Sequence, residues 1–203
     1  MGQWLTDAGC RDSLPSLNMD HPIQKSSPTA ARMSTLQAAA IASAAFAVPL
    51  ALSISSTPSP NHPRTLLWYR SLRQPSFKPP DGLIPLAWGG IEAALAVAAY
   101  RLLRAAPSPA RSKALALWGW NVFLIGGWSR WFFKRQNLGM STVTSAGLLA
   151  TSVAFVQAAK PVDKTAARAG LPLVGWVAFA TVLTATIWRL NPRKSGRASW
   201  EPG

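Results

Sequence analysis

The sequence predicts an all-α membrane protein, a five-transmembrane-helix bundle, and three observations carry that expectation. Five apolar stretches of about 20 residues recur along the 203-residue chain, the length an α-helix needs to cross a hydrocarbon core. Cations stand in short groups at and beyond the ends of these stretches, at 64–78, 101–113, 130–135, 160–168 and 189–197. Ten tryptophans accompany a charged fraction of only 14%, a balance foreign to soluble domains and suited to a membrane interface.

Residues 1–33 are polar and punctuated by Pro15, Pro22 and Pro28, and read as a flexible tail. Asp7, Asp12 and Asp20 stand beside Arg11, Lys25 and Arg32, whereas organelle transit segments are poor in acids. The spanning domain is expected at 34–190 and a basic tail at 191–203. The first span, 34–54, is alanine-rich and bends at Pro49; it starts too late and runs too long for a signal peptide. The linker SSTPSPNHPR that follows reads as non-helical, because proline interrupts it repeatedly. Further spans are expected at 82–103, 114–133, 140–159 and 169–190. The links APSPARSK, KRQNLG and PVDKTAAR are short, so neighbouring helices run antiparallel. An odd number of spans puts the termini on opposite faces. Lysines and arginines balance across the two sides, so the positive-inside rule gives no orientation.

The net charge of +14 invites a nucleic-acid partner, but no continuous basic patch supports one. Cations at the ends of apolar spans suit lipid headgroups instead. Cys10 is the sole cysteine, and His21 and His62 sit in polar, proline-bearing segments, so neither a disulfide, a metal site nor a cofactor is expected. Small residues line helix faces: Ala146, Ala150, Ala154 and Ala158 in the fourth span, and the pairs Ala38/Ala42 and Ala40/Ala44 in the first. Such faces pack within one bundle or form a homodimer seam.

Trp68, Trp131, Trp188 and Trp200 are placed for the headgroup level. Trp88, Trp118, Trp120, Trp128 and Trp176 fall within the spans. An indole there either fills space or faces a ligand.

The pattern W-Y-x-x-L-x-x-P-S-F-x-P-P at 68–80, with Trp88 after it, resembles the translocator protein family, also called TspO, tryptophan-rich sensory protein or peripheral benzodiazepine receptor. WSRWFF at 128–133, GLPLVGWVAFATVL at 170–183 and IWRLN at 187–191 resemble further motifs of that family, in the right order. The resemblance implies a lid-like loop between helices 1 and 2, folded over one end of the bundle. It also implies a ligand cavity lined by Tyr69, Trp88, Trp128, Trp176 and Ala180. Thr184 continues the face of Trp176 and Ala180 at i, i+4, i+8.

Departures from the family pattern are informative. Glu92 stands where the family has tyrosine or phenylalanine, one turn from Trp88. A mid-bilayer carboxylate costs about 2.5–3.5 kcal/mol or more, so it reads as a ligand-facing group or as a protonated carboxyl bonded to a neighbouring helix. Asn121 and Ile125 replace a glutamine and an asparagine, Leu173 a tyrosine, and Thr184 an asparagine. The tyrosine of the family's sterol pattern is Ala185, and the looser matches around Tyr69 and Tyr100 are weak signals.

By resemblance the chain binds porphyrins or other tetrapyrroles in its cavity, for transport, sensing or scavenging. Cholesterol and other sterols are a second ligand class in animal members. Some members degrade porphyrin slowly under light, and Trp88 and Trp176 keep both tryptophan positions. No acid–base pair or nucleophile in the spans points to conventional catalysis. The reading from a different class is a membrane scaffold or accessory subunit acting through helix-face contacts. A proton-coupled transporter rests on Glu92 alone, without internal repeats. The expected location is an integral membrane one: the mitochondrial outer membrane for a eukaryotic source, the cell envelope for a bacterial one.

Overall fold

The computed structural model describes residues 33–54, 58 and 60–195. The tail expected at 1–33, Met33 apart, lies outside the described residues, as do Trp200 and the rest of 196–203. The described chain is helical throughout, with five long helices and three short helical pieces besides a wide turn that continues one of them.

Helix α1 (Thr35–Ile54) opens on a reciprocal cap: Ser34 and Gln37 each accept from the other's backbone N–H at 3.2 Å. This S-x-x-Q pair satisfies two otherwise orphaned donors. The helix runs on through Pro49. The linker expected as non-helical is so at residues 58 and 60–62, and helix α2 (Pro63–Ser71) takes in only its last two residues. Proline at the first helical position has no N–H to lose and a preset φ, so Pro63 starts a helix rather than breaking one.

Helix α3 (Leu83–Arg104) is followed after four residues by α4 (Pro109–Ser129). The expected link APSPARSK is shorter than its composition suggests, because Ser108 caps α4, accepting from Arg111 N–H at 3.1 Å, and Pro109 sits at its first position. Arg111 then reaches back to the end of α3, donating to the Leu102 and Leu103 carbonyls at 2.8 and 3.0 Å. A cation on orphaned C-terminal carbonyls stabilises both the turn and the α3 dipole.

Helix α4 does not stop at Ser129 but widens into a π turn (Arg130–Lys134). Helix α5 (Leu138–Ala159) starts on Asn137, whose side chain accepts from Met140 N–H at 2.9 Å. A six-residue α6 (Lys164–Ala169) occupies most of the link expected as PVDKTAAR; Asp163 caps it at 2.7 Å and also takes both bonds of Arg101, at 2.9 and 3.0 Å. Helix α7 (Leu171–Leu190) and a 3-10 turn (Pro192–Lys194) close the described chain.

Three segments, Leu83–Arg104, Leu138–Ala159 and the joined Lys164–Leu190, are long and apolar enough to cross a membrane. Helices α1 and α4, at 20 and 21 residues, match them in length, about 30 Å. α5 packs on α4 and α7, α1 on α3 and α4, and α3 also meets α7. The apolar interior is built from Ile91, Leu95, Leu102, Trp118, Leu148, Phe155 and Leu173. Exposed Leu86, Phe123, Val143 and Val182 face outward, as lipid contact requires.

The small-residue faces divide. Ala38 and Ala42 are buried against the bundle, while Ala40 and Ala44 are exposed. On α5, Ala146 and Ala150 are exposed and Ala154 and Ala158 half-buried. One glycine permits a close approach: a Cβ on Gly170 would stand 2.7 Å from the Phe155 ring and 2.9 Å from Val156.

Candidate functional site: an aromatic cavity under a folded lid

The segment from α2 to Gly82 folds over the end of the bundle where α4 meets α5 and where α7 stops. Apolar contacts seat it. Leu72 is buried with Phe132, Leu138 and Ile187, and Trp68 meets Phe132 edge-on at 5.8 Å. Phe77 meets Phe179 of α7 at 6.3 Å. Trp68, expected at the headgroup level, is half-buried on the inner side of the lid at the end of the bundle.

Polar contacts fix the lid's register. Asn191 is buried at the end of α7 and forms a two-way backbone pair with Arg73, accepting its N–H and donating to its carbonyl, both at 2.8 Å. The same amide donates to the Ile187 carbonyl at 2.8 Å, and Lys194 donates to the Ser71 carbonyl. At the far edge, Lys78 donates to Asp81 and, at 3.2 Å, to the Tyr69 hydroxyl, which donates to Asp81 at 3.0 Å. Each group in this triad shifts. The Lys78 hydrogen bond holds the Asp81 carboxyl below the usual carboxylate range. Burial raises the Tyr69 hydroxyl. Burial pushes the Lys78 ammonium down, but its bonds to Asp81 and Tyr69 outweigh that and leave it raised.

Beneath the lid lies a cavity of about 500 Å³. Tyr69, Trp88, Glu92, Trp128, Trp176, Ala180 and Thr184 all border it. Helical spacing explains the grouping: Trp88 and Glu92 are one turn apart on α3, and Trp176, Ala180 and Thr184 follow at i, i+4, i+8 on α7. Trp88 and Trp176 meet edge to face at 6.3 Å, and Trp176 leans on Phe179 at 5.7 Å. Trp128 stacks on Phe132 at 4.9 Å and meets Phe133 at 5.9 Å.

Sequence reasoning passed over several wall residues. Phe132 and Phe133 belong to the quoted WSRWFF motif, but only the π turn brings both rings to the cavity. Such wide turns often sit at functional sites. Lys78 reads from sequence as a headgroup cation, and Ser145 and Leu148 of α5 carry no signal beyond apolar periodicity.

The tryptophans of the spans have different fates. Trp118 is buried and donates to the Leu95 carbonyl at 3.0 Å, tying α4 to α3. Trp120 is 52% exposed and stacks on exposed Phe123. The N–H groups of Trp68, Trp128 and Trp176 are buried without a hydrogen-bond partner. Each such donor costs about 1–3 kcal/mol, so packing holds these rings against a standing penalty. Glu92 is buried and makes no hydrogen bond or ion pair with any described residue.

Five membrane-length helices around an internal aromatic cavity, closed at one end by a folded loop, define an α-helical integral membrane protein. The sequence model of the TspO/MBR family matches residues 41–189, and the chain belongs to that family. It is 30% identical over 139 residues to the translocator protein of Sus scrofa, covering 65% of this chain and 80% of that one. It is 32% identical over 130 residues to protein CrtK of Rhodobacter capsulatus, covering 62% and 79%. It is 29% identical over 154 residues to the tryptophan-rich protein TspO of Chlorobaculum tepidum, covering 73% and 95%. Relatives thus come from animals and bacteria, and the chain is a membrane protein of the translocator and tryptophan-rich sensory type.

Proposed function

We propose that the protein binds porphyrins and related flat tetrapyrroles in the cavity, for transport, sensing or scavenging. The carrying observation is the wall itself: Trp88, Trp128, Trp176, Phe132, Phe133 and Tyr69 around about 500 Å³. That volume lies within the range of small-molecule pockets, about 300–1,000 Å³, and aromatic faces suit a planar macrocycle. Ala180 leaves room between Trp176 and Thr184 on the α7 wall. Sterols are a weaker fit, because Ala185 stands where the family's sterol pattern needs tyrosine.

Titrating protoporphyrin into the purified protein and following tryptophan fluorescence tests this. Saturable quenching at micromolar ligand is expected, weakened about tenfold by W88F or W176F. The second reading, a scaffold or accessory subunit, draws on the outward face of Ala146, Gly147 and Ala150 on α5. Absence of quenching, together with a stable co-purifying partner, favours that reading.

A further inference from the structure

The charges on the cavity wall are unequal in what they have left to bind. Two charged side chains border it, Lys78 and Glu92. Lys78 sits at the lid and is held by Asp81 and Tyr69. Glu92 sits on α3, only 7% exposed, with no hydrogen bond or ion pair to any described residue. No described group stands at hydrogen-bond distance from its carboxyl. The Thr184 hydroxyl, also on the wall, donates along its own helix to the Ala180 carbonyl.

A buried carboxyl without a partner attracts a donor or a cation. Indole faces attract cations as well. Both preferences meet at one place, because Glu92 lies one turn from Trp88, and Trp88 touches Trp176 across the cavity. We propose that Glu92 makes the cavity selective for flat apolar ligands bearing a cationic nitrogen, which meets the Glu92 carboxylate while the ring lies against Trp88 and Trp176. This rests on the cavity being the ligand site. A neutral ring keeps the aromatic contacts and loses the ion pair. An anionic group set against Glu92 adds repulsion, whereas carboxylates on the far edge of a larger ring, turned toward Lys78 at the lid, do not.

Three probes with one ring separate the possibilities: 9-(aminomethyl)anthracene as its ammonium, 9-anthracenemethanol and 9-anthracenecarboxylate. Binding is measured by fluorescence in phosphatidylcholine nanodiscs, with empty discs subtracted. The ammonium is expected to bind about tenfold more tightly than the alcohol, and the carboxylate most weakly. In Glu92→Gln the ammonium falls to within about threefold of the alcohol, and unchanged helix content and thermal midpoint show that the variant is folded. Glu92→Asp keeps part of the preference. Equal wild-type affinities for ammonium and alcohol, or a preference that survives Glu92→Gln, would overturn the proposal. Failure of all three probes to bind overturns the cavity reading itself, and charge selection with it.

Discussion

Asn191 closes the lid with one side chain. Its amide satisfies both backbone groups of Arg73 and the last open carbonyl region of α7 at Ile187, in a buried setting. Truncation to alanine leaves buried backbone groups unpaired, at about 1–3 kcal/mol. Asn191→Ala is expected to raise hydrogen exchange across 63–82 while the protection of α5 stays unchanged; equal protection of 63–82 in both proteins contradicts the clamp.

The Lys78–Tyr69–Asp81 triad gives the lid a pH window. Asp81 is lowered, so its contribution is complete above the ordinary carboxylate value and is lost as pH falls through its folded value. Lys78 and Tyr69 are raised, so theirs is complete below their ordinary values and is lost as pH rises through the folded ones. Lid exchange is therefore expected to be flat from about pH 5 to about pH 9 and to rise outside that range, after correction for intrinsic exchange. A step between pH 6 and 8 contradicts this assignment.

At the scale of elements, composition and punctuation carried most of the architecture, and their failures were local. Alternating apolar stretches and cation groups located the long helices to within a few residues at most ends. Ser108–Pro109 and His62–Pro63 were read as breaks, yet proline at a first helical position is a start signal, so α4 begins early and α2 appears at all. Nothing in helical periodicity announces the π turn at Arg130–Lys134, because a one-residue bulge leaves apolar spacing nearly intact.

The α5–α7 contact rests on Gly170. A methyl group there meets the Phe155 ring and the Val156 side chain closer than a Cβ tolerates, so these side chains or the helices that carry them must shift. Gly170→Ala is expected to destabilise the protein by about 1–3 kcal/mol and lower its thermal midpoint. A midpoint at or above that of the wild type shows that the contact yields without cost.

For the whole molecule, the gathering of the seven named residues was legible because family motifs supplied the tryptophans and helical spacing supplied the shared faces. The polar furniture of the cavity was less so. That Lys78 turns to Asp81 and Tyr69, and that Glu92 is left alone, depends on how the lid sits on α7 and the π turn, through contacts such as Arg73–Asn191 and Trp68–Phe132 that are far apart in the chain. A spanning protein also gives weak sequence contrast between inward and outward faces, since lipid-facing Trp120 and cavity-facing Trp128 look alike in one apolar run.

The central claim is that the space beneath the lid is where a planar guest sits. Ala180→Phe fills it from the α7 wall without touching a charge or an indole. Protoporphyrin affinity of this variant, measured beside its helix content and thermal midpoint, is the most direct test. A loss of about tenfold or more with the fold retained is the expected result. Unchanged affinity in a folded Ala180→Phe protein places the guest elsewhere and contradicts the account.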